Sequence, residues 1–198
     1  RFRNMMKAAD LPPYYNICEI LEHNLEHRGD KIALLSENGA FTFREVSEQI
    51  NKVGNALIRS GVKFGECVAI LCPDRPEWVS VFFATAKIGG VALGLNTLLK
   101  TDEYDYILKD ARVKVLVVHD SLKALVEPII KKHDTLIKVI TVTDNKSIMC
   151  TTFTDWIDGE KSDLNSATTH REDFCSLHYS SGTTGVPKGV LHMHKDYP

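Results

Sequence analysis

Three features that define whole classes of protein are missing from this chain of 198 residues. No apolar run approaches the ~20 residues that a membrane-spanning helix needs, so we expect no membrane span. Residues 1–7, RFRNMMK, lack the apolar core of a signal peptide and do not begin at an initiator Met, so we expect further residues upstream. The net charge is −2, from 24 basic and 26 acidic residues, and without a basic excess we expect no nucleic-acid partner.

Cysteine is scarce and is not arranged for a metal site or a disulfide framework. The chain has five cysteines, an odd number, and none of them stand in C-x-x-C spacing. Cys67 and Cys72 flank an apolar run and fit the role of small buried hydrophobic residues. A reducing, cytoplasmic compartment is therefore the simplest expectation, and no metal ligands are predicted.

One short stretch near the end is unusually rich in small and hydroxyl residues. Residues 180–189 contain three glycines, four Ser or Thr side chains and one lysine, Lys188. Glycine lets the backbone approach a ligand closely, and successive N–H groups in such a loop form a concavity for anions. The hydroxyls add rotatable donors and Lys188 adds a positive charge. This composition predicts a loop that holds a polyphosphate.

The order of residues excludes the two best-known phosphate loops. A Walker loop ends in Gly-Lys-Ser/Thr, whereas Lys188 follows Pro187 and precedes Gly189. The dinucleotide fingerprint needs G-x-G-x-x-G, but Gly182, Gly185 and Gly189 are spaced three and four apart. A flexible Ser/Thr/Gly linker is the plain alternative. The Pro-Lys-Gly step between two apolar strand patterns argues against a linker.

Strand and helix patterns alternate along the rest of the chain. A helix over residues 45–60 shows a 4-3-4 stripe of apolar residues, with Thr42 and Glu45 as a capping box. The other predicted helices start near residue 17, around residue 76 (ending about 88) and at residues 101, 121 and 153. The predicted strands are residues 31–35, 67–71, 91–95, 113–118, 137–142, 174–179 and 189–194. This alternation predicts an α/β layered fold with a mostly parallel sheet, in which the loop after Tyr179 lies at the ligand-binding edge.

Read in order, residues 179–190, YSSGTTGVPKGV, closely resemble the phosphate-loop signature of the adenylate-forming (AMP-binding) enzymes. That family includes acyl- and aryl-CoA synthetases, peptide-synthetase adenylation domains and luciferases, and its loop grips the β- and γ-phosphates of ATP. The resemblance implies that four side chains donate hydroxyl hydrogen bonds to these phosphates: Ser180, Ser181, Thr183 and Thr184. It also implies close backbone approach at Gly182 and Gly185, and a positive charge from Lys188.

The resemblance extends beyond the loop. Residues 41–46, FTFREV, and residues 86–96 look like the first and second core motifs of the family, although the family usually has proline where this chain has Gly94. Residues 15–34 and 95–99 look closest to the benzoate–CoA ligase branch. The family's acid-site, ribose-binding, hinge and catalytic-lysine motifs have no counterpart here. The resemblance thus implies that residues 1–198 are the N-terminal part of the AMP-binding domain, without its remainder or the small C-terminal domain.

The resemblance implies an ATP-dependent acid–CoA ligase, with benzoate or a related aryl or acyl carboxylate as the acid. ATP, Mg²⁺ and coenzyme A are then the expected cofactor and substrates, and this piece alone is expected to be inactive. Two alternatives stay open. The acceptor could be a carrier-protein pantetheine, or the chain could be a non-enzymatic nucleotide- or phosphate-binding module.

Two histidine pairs have spacings that a metal site could use. His192 and His194 stand two apart on a predicted strand, which would place both on one face. His23 and His27 stand four apart on a predicted helix. No third ligand is evident for either pair, so packing or solvent exposure is the preferred interpretation.

Overall fold

The computed structural model describes residues 10–37, 39–145, 150–180 and 187–197. The helices in these ranges are α1 (Glu19–Arg28), α2 (Phe43–Arg59), α3 (Pro76–Lys87), α4 (Thr101–Asp110), α5 (Asp120–Ile130) and α6 (Phe153–Ile157). The strands are β1 (Ile32–Ser36), β2 (Gly39–Thr42), β3 (Cys67–Leu71), β4 (Val91–Gly94), β5 (Val115–His119), β6 (Lys138–Val142), β7 (Phe174–Ser180) and β8 (Lys188–Met193). A short 3-10 turn, His194–Asp196, follows β8.

Six strands form one sheet in the order β6-β5-β3-β4-β7-β8. All neighbouring pairs are parallel except β7 and β8, which are antiparallel. Every residue of β3 is buried, as expected for a central strand covered on both faces. One face packs against α2 and α3, and the other packs against α4 and α5. The predicted fold class, a layered α/β fold with a mostly parallel sheet, is confirmed.

Helix α2 shows how local sequence sets this architecture. The Thr42 hydroxyl accepts a hydrogen bond from the backbone N–H of Glu45 (3.2 Å), and the Glu45 carboxylate accepts one from the backbone N–H of Thr42 (2.8 Å). The bond from the Thr42 N–H, together with one that the Thr42 hydroxyl donates to the same carboxylate (2.9 Å), lowers the pKa of Glu45. The predicted apolar stripe is confirmed, because its four members are buried against the sheet: Val46, Ile50, Val53 and Leu57. The capping box therefore sets where the helix begins, and the apolar face sets which side of it packs against the sheet.

The predicted element bounds need several corrections. Helix α2 begins two residues before its predicted start, and β5 begins two residues after its own. The chain before α2 forms a separate antiparallel hairpin, β1–β2, of which only the first strand was predicted. Helix α1 begins at Glu19, two residues after the predicted start, and Asn16 precedes it with its amide bound to the Ala86 carbonyl (2.9 Å). Helix α5 begins one residue early and ends at Ile130, two residues beyond Pro128. Pro128 has no N–H to continue the i→i−4 hydrogen bonds, and the helix ends two residues after it.

Residues 158–172 connect α6 to β7 without a helix or strand, as predicted. Side chains of α2 hold this segment: Asn51 donates to the Ser162 carbonyl (2.9 Å) and Asn55 to the Lys161 carbonyl (3.0 Å). Leu164 fills the space that a side chain at Gly54 would occupy. The segment is thus packed onto the helical layer. Among the helices described, none is both long enough and apolar enough to cross a bilayer.

Candidate functional site

The hairpin β7–β8 brings the two ends of the glycine-rich loop together. Ser180 is the last residue of β7 and pairs directly with Lys188, the first residue of β8. Both residues are solvent-exposed. The prediction that the loop joins two strands is confirmed. An anion site here would draw on the loop's N–H groups, its hydroxyls and the Lys188 ammonium.

The mouth of this hairpin lies at the carboxyl edge of the sheet. β7 runs parallel to β4, with Ala92 beside Ser176 and Leu93 beside Leu177, so the loop starts where parallel strands end. Ligands of open α/β sheets bind at that edge. Of the predicted site residues, the structure places Ser180 and Lys188 side by side. The others lie outside the described residues: Ser181, Gly182, Thr183, Thr184 and Gly185.

A polar and aromatic cluster that sequence reasoning missed lies beside this mouth. The Ser176 hydroxyl is 2.6 Å from the Tyr197 hydroxyl and 3.3 Å from Nε2 of His178. The rings of His178 and His192 meet edge to face with centroids 5.4 Å apart. Burial lowers the pKa of His178, and the neighbouring His192 lowers it further, so the neutral imidazole predominates at pH 7. The sequence pattern that could have indicated this cluster is the alternation in β7, where Ser176, His178 and Ser180 occupy every second position and so share one face of the strand.

The predicted placement of His192 and His194 on one strand face is wrong. β8 ends at Met193, whose backbone N–H donates to the Asp196 carboxylate (2.8 Å) and so starts the 3-10 turn. His194 therefore turns into the core, where it is fully buried, and its Nδ1 accepts the backbone N–H of Ile17 (3.1 Å). Nε2 must carry the proton, because Nδ1 is an acceptor. His194 joins the end of the hairpin to the segment before α1.

This buried imidazole makes stability depend on pH. Burial lowers the pKa of His194 to about 4, with Asp173 acting weakly in the opposite direction. In the unfolded chain a histidine has a pKa of about 6.5, so the unfolded state binds more protons between these values and stability is lost as pH falls. From pH 7 to pH 5 we expect His194 to lower the free energy of unfolding by about 2 kcal/mol.

Urea unfolding at a series of pH values measures this effect. A His194→Gln variant keeps a hydrogen-bond acceptor for Ile17 but cannot titrate, so its stability should vary less between pH 7 and pH 5. His27→Gln on the exposed face of α1 should leave the wild-type pH dependence unchanged. Parallel curves for the wild type and His194→Gln would contradict the assignment.

The described residues contain no group of three or more His, Cys, Asp or Glu side chains that could hold a metal ion. His23 and His27 both lie on the solvent-exposed side of α1, as the preferred interpretation predicted. His192 faces His178 and Tyr197 instead of a second ligand pair.

A model of one protein family, the AMP-binding enzymes, matches residues 21–197 and so includes the hairpin and nearly all of the sheet. The chain belongs to the AMP-binding enzyme family. Among curated members, benzoate–CoA ligase of Thauera aromatica is 30% identical over 200 residues, which cover 98% of this chain and 37% of that enzyme. The chain thus spans little more than a third of the length of this relative.

Solved structures of AMP-binding enzymes share the fold. The anthranilate CoA ligase AuaEII, solved in complex with anthranoyl-AMP, superposes with a TM-score of 0.93 and 49% identity, over 97% of this chain and 37% of that one. ATP-bound MatB from Rhodopseudomonas palustris superposes with a TM-score of 0.78 and 26% identity, over 96% and 35% of the two chains. The similarity in both cases runs through the whole described sheet.

Proposed function

We propose that this chain is the N-terminal part of the AMP-binding domain of an ATP-dependent acid–CoA ligase. The observation that carries the proposal is the antiparallel hairpin that pairs Ser180 with Lys188 at the carboxyl edge of the sheet. Family membership supports it, as do relatives named for benzoate and anthranilate. Benzoate or a related aromatic carboxylate is accordingly the proposed acid.

In the proposed first step, a carboxylate oxygen of the acid attacks the α-phosphorus of ATP. The new O–P bond gives an acyl-adenylate, and the bond to the bridging oxygen breaks to release pyrophosphate. The loop holds the departing β- and γ-phosphates: Ser180, Ser181, Thr183 and Thr184 donate hydrogen bonds, and Gly182 and Gly185 permit close backbone approach. Lys188 neutralises the charge that develops on the leaving group. The protein thus acts by positioning and by electrostatic stabilisation.

In the proposed second step, the thiol sulfur of coenzyme A attacks the acyl carbon and AMP leaves, giving a thioester. The described residues contain no acidic cluster for a metal, so Mg²⁺ would arrive on the ATP phosphates, as it commonly does. The acid and the thiol would contact parts of the protein outside these 198 residues, and those parts would also carry the remaining catalytic groups.

An assay of AMP release tests the proposal on the protein that contains this chain. Benzoate, anthranilate and a short aliphatic acid are each supplied with MgATP, with and without coenzyme A. AMP release that requires both an acid and coenzyme A supports the ligase. AMP release that requires the acid and a carrier protein, supplied in place of coenzyme A, favours that acceptor. ATP binding without any acid-dependent turnover favours a nucleotide-binding module and contradicts the proposal.

A further inference from the structure

The side chain of Tyr179 contacts three elements next to the hairpin mouth. Tyr179 precedes Ser180 in β7, and its ring lies against Gly189 of β8, where an added Cβ would be 3.3 Å from the ring. Its hydroxyl donates a hydrogen bond to the carboxylate of Asp110, at 2.5 Å. One side chain therefore connects β7, β8 and helix α4.

Within the part of the chain that the structure describes, few other contacts hold this end of β8. It is the edge strand of the sheet, its residues 188–191 are exposed, and its main neighbour is β7. An edge strand with a long loop can shift or fray at that end. The ring of Tyr179 covers Gly189, the residue directly after Lys188. Fixing Gly189 against the ring fixes the backbone that carries Lys188.

Asp110 has an unusual position for a structural acid. It is the last residue of α4, where a negative charge interacts unfavourably with the helix dipole. The hydrogen bond from the Tyr179 phenol offsets this unfavourable interaction of the Asp110 carboxylate. Burial, together with this carboxylate, raises the pKa of the Tyr179 phenol, so the phenol remains a hydrogen-bond donor at neutral pH.

We propose that Tyr179 and Asp110 are positioning residues that hold the loop mouth, with Ser180 and Lys188, in the arrangement that binds the phosphates of ATP. The inference rests on the proposed use of this loop for ATP. Neither side chain needs to contact the nucleotide. Their bond anchors the exposed hairpin end to α4 and so holds Ser180 and Lys188 in place before the phosphates bind.

The experiment measures the dissociation constant of MgATP by calorimetry on the protein that contains this chain, without requiring turnover. Hydrogen bonds to a charged group have net contributions that correspond to roughly tenfold or more in an equilibrium. We therefore expect Tyr179→Phe and Asp110→Ala each to weaken MgATP binding about tenfold. Asp110→Asn keeps an oxygen acceptor without the charge, so its MgATP affinity should fall between those of the wild type and Asp110→Ala. The double variant, Tyr179→Phe with Asp110→Ala, should lose no more than either single variant.

Two controls separate positioning from general stability. Tyr14→Phe makes the same chemical change at an exposed tyrosine outside α4 and the β7–β8 hairpin, and it should leave MgATP binding unchanged. The affinity for the acid, measured separately, should change less than twofold in all variants. A lower unfolding midpoint with unaltered MgATP binding in Tyr179→Phe would overturn the proposal, since it indicates a purely structural bond.

The outcomes also distinguish this inference from the proposed ligase activity. Acid- and CoA-dependent AMP release with no change in MgATP affinity in the variants retains the ligase and rejects the positioning role. Weaker MgATP binding in the variants, with no turnover in the wild type, retains the positioning role and rejects the ligase. A wild-type protein that does not bind MgATP rejects both.

Discussion

Replacing Glu22 by alanine is expected to lower the free energy of unfolding by about 3–5 kcal/mol, because it leaves a buried ammonium without its counter-charge. The Lys87 side chain is only 4% exposed, and its Nζ lies 2.9 Å from Oε1 of Glu22. It also donates to Oδ1 of Asn51 at 2.7 Å. Since α1, α2 and α3 each contribute one of these three residues, the ammonium joins the three helices on one face of the sheet.

Replacing the other partner of this ion pair, Lys87, should lower the free energy of unfolding by less than replacing Glu22. Lys87→Met removes the charge that burial disfavours and leaves Glu22, whose side chain is 37% exposed and can be hydrated. We expect a loss of about 1–3 kcal/mol, chiefly from the buried Asn51 oxygen that loses its donor. Combining Glu22→Ala with Lys87→Met should recover part of the loss seen in Glu22→Ala alone, because no buried charge is then unpaired.

Urea unfolding followed by tryptophan fluorescence measures all three variants. Glu26→Ala is the matched control, because Glu26 lies one turn further along α1 and is exposed; its effect should be within about 0.5 kcal/mol. If Glu22→Ala were no more destabilising than Lys87→Met, the asymmetric burial of the pair would not control its energetics.

The features that sequence analysis predicted well are those with local causes. The capping box of Thr42 and Glu45 and the apolar stripe of α2 depend on residues within one helix, and both are confirmed. The apolar run at residues 67–71 predicted a strand, which is also confirmed, and the structure buries every residue of it. The loop between β7 and β8 was identified from residue order alone. Short-range patterns therefore predicted most of the elements and the fold class.

Features that depend on long-range contacts were not predicted. The β8 pattern did not reveal where the strand ends, because the position of His194 depends on Ile17, which is distant in sequence. Gly54 looked like an ordinary helix position, but Leu164 occupies the space above it. Lys87, within an apolar helix, gave no sign of its partners on two other helices. In each case the partner lies far along the chain, where spacing rules carry no information.

Lys188→Ala is expected to slow adenylate formation roughly 10²–10³-fold, the usual cost of removing one electrostatic contact to developing charge. Lys188 is the only charged residue in residues 180–189, and its pairing with Ser180 fixes it at the loop mouth. The loss should appear in ATP–pyrophosphate exchange driven by the acid, measured on the protein that contains this chain. Lys188→Arg keeps the positive charge and should retain more of the exchange rate than alanine.

Stability and charge controls make the result specific to the loop. The Lys188 side chain is exposed, so Lys188→Ala should change the free energy of unfolding by less than about 0.5 kcal/mol. Lys195→Ala removes the same charge a few residues away, where the ammonium pairs with Glu172 at 2.8 Å, and should leave exchange within a few-fold of the wild type. Equal loss in the two alanine variants would indicate a general field effect, because a contact at the leaving phosphates requires the charge at position 188 itself. An unchanged exchange rate in Lys188→Ala would remove Lys188 from the proposed mechanism and leave the loop's N–H and hydroxyl groups as the phosphate site.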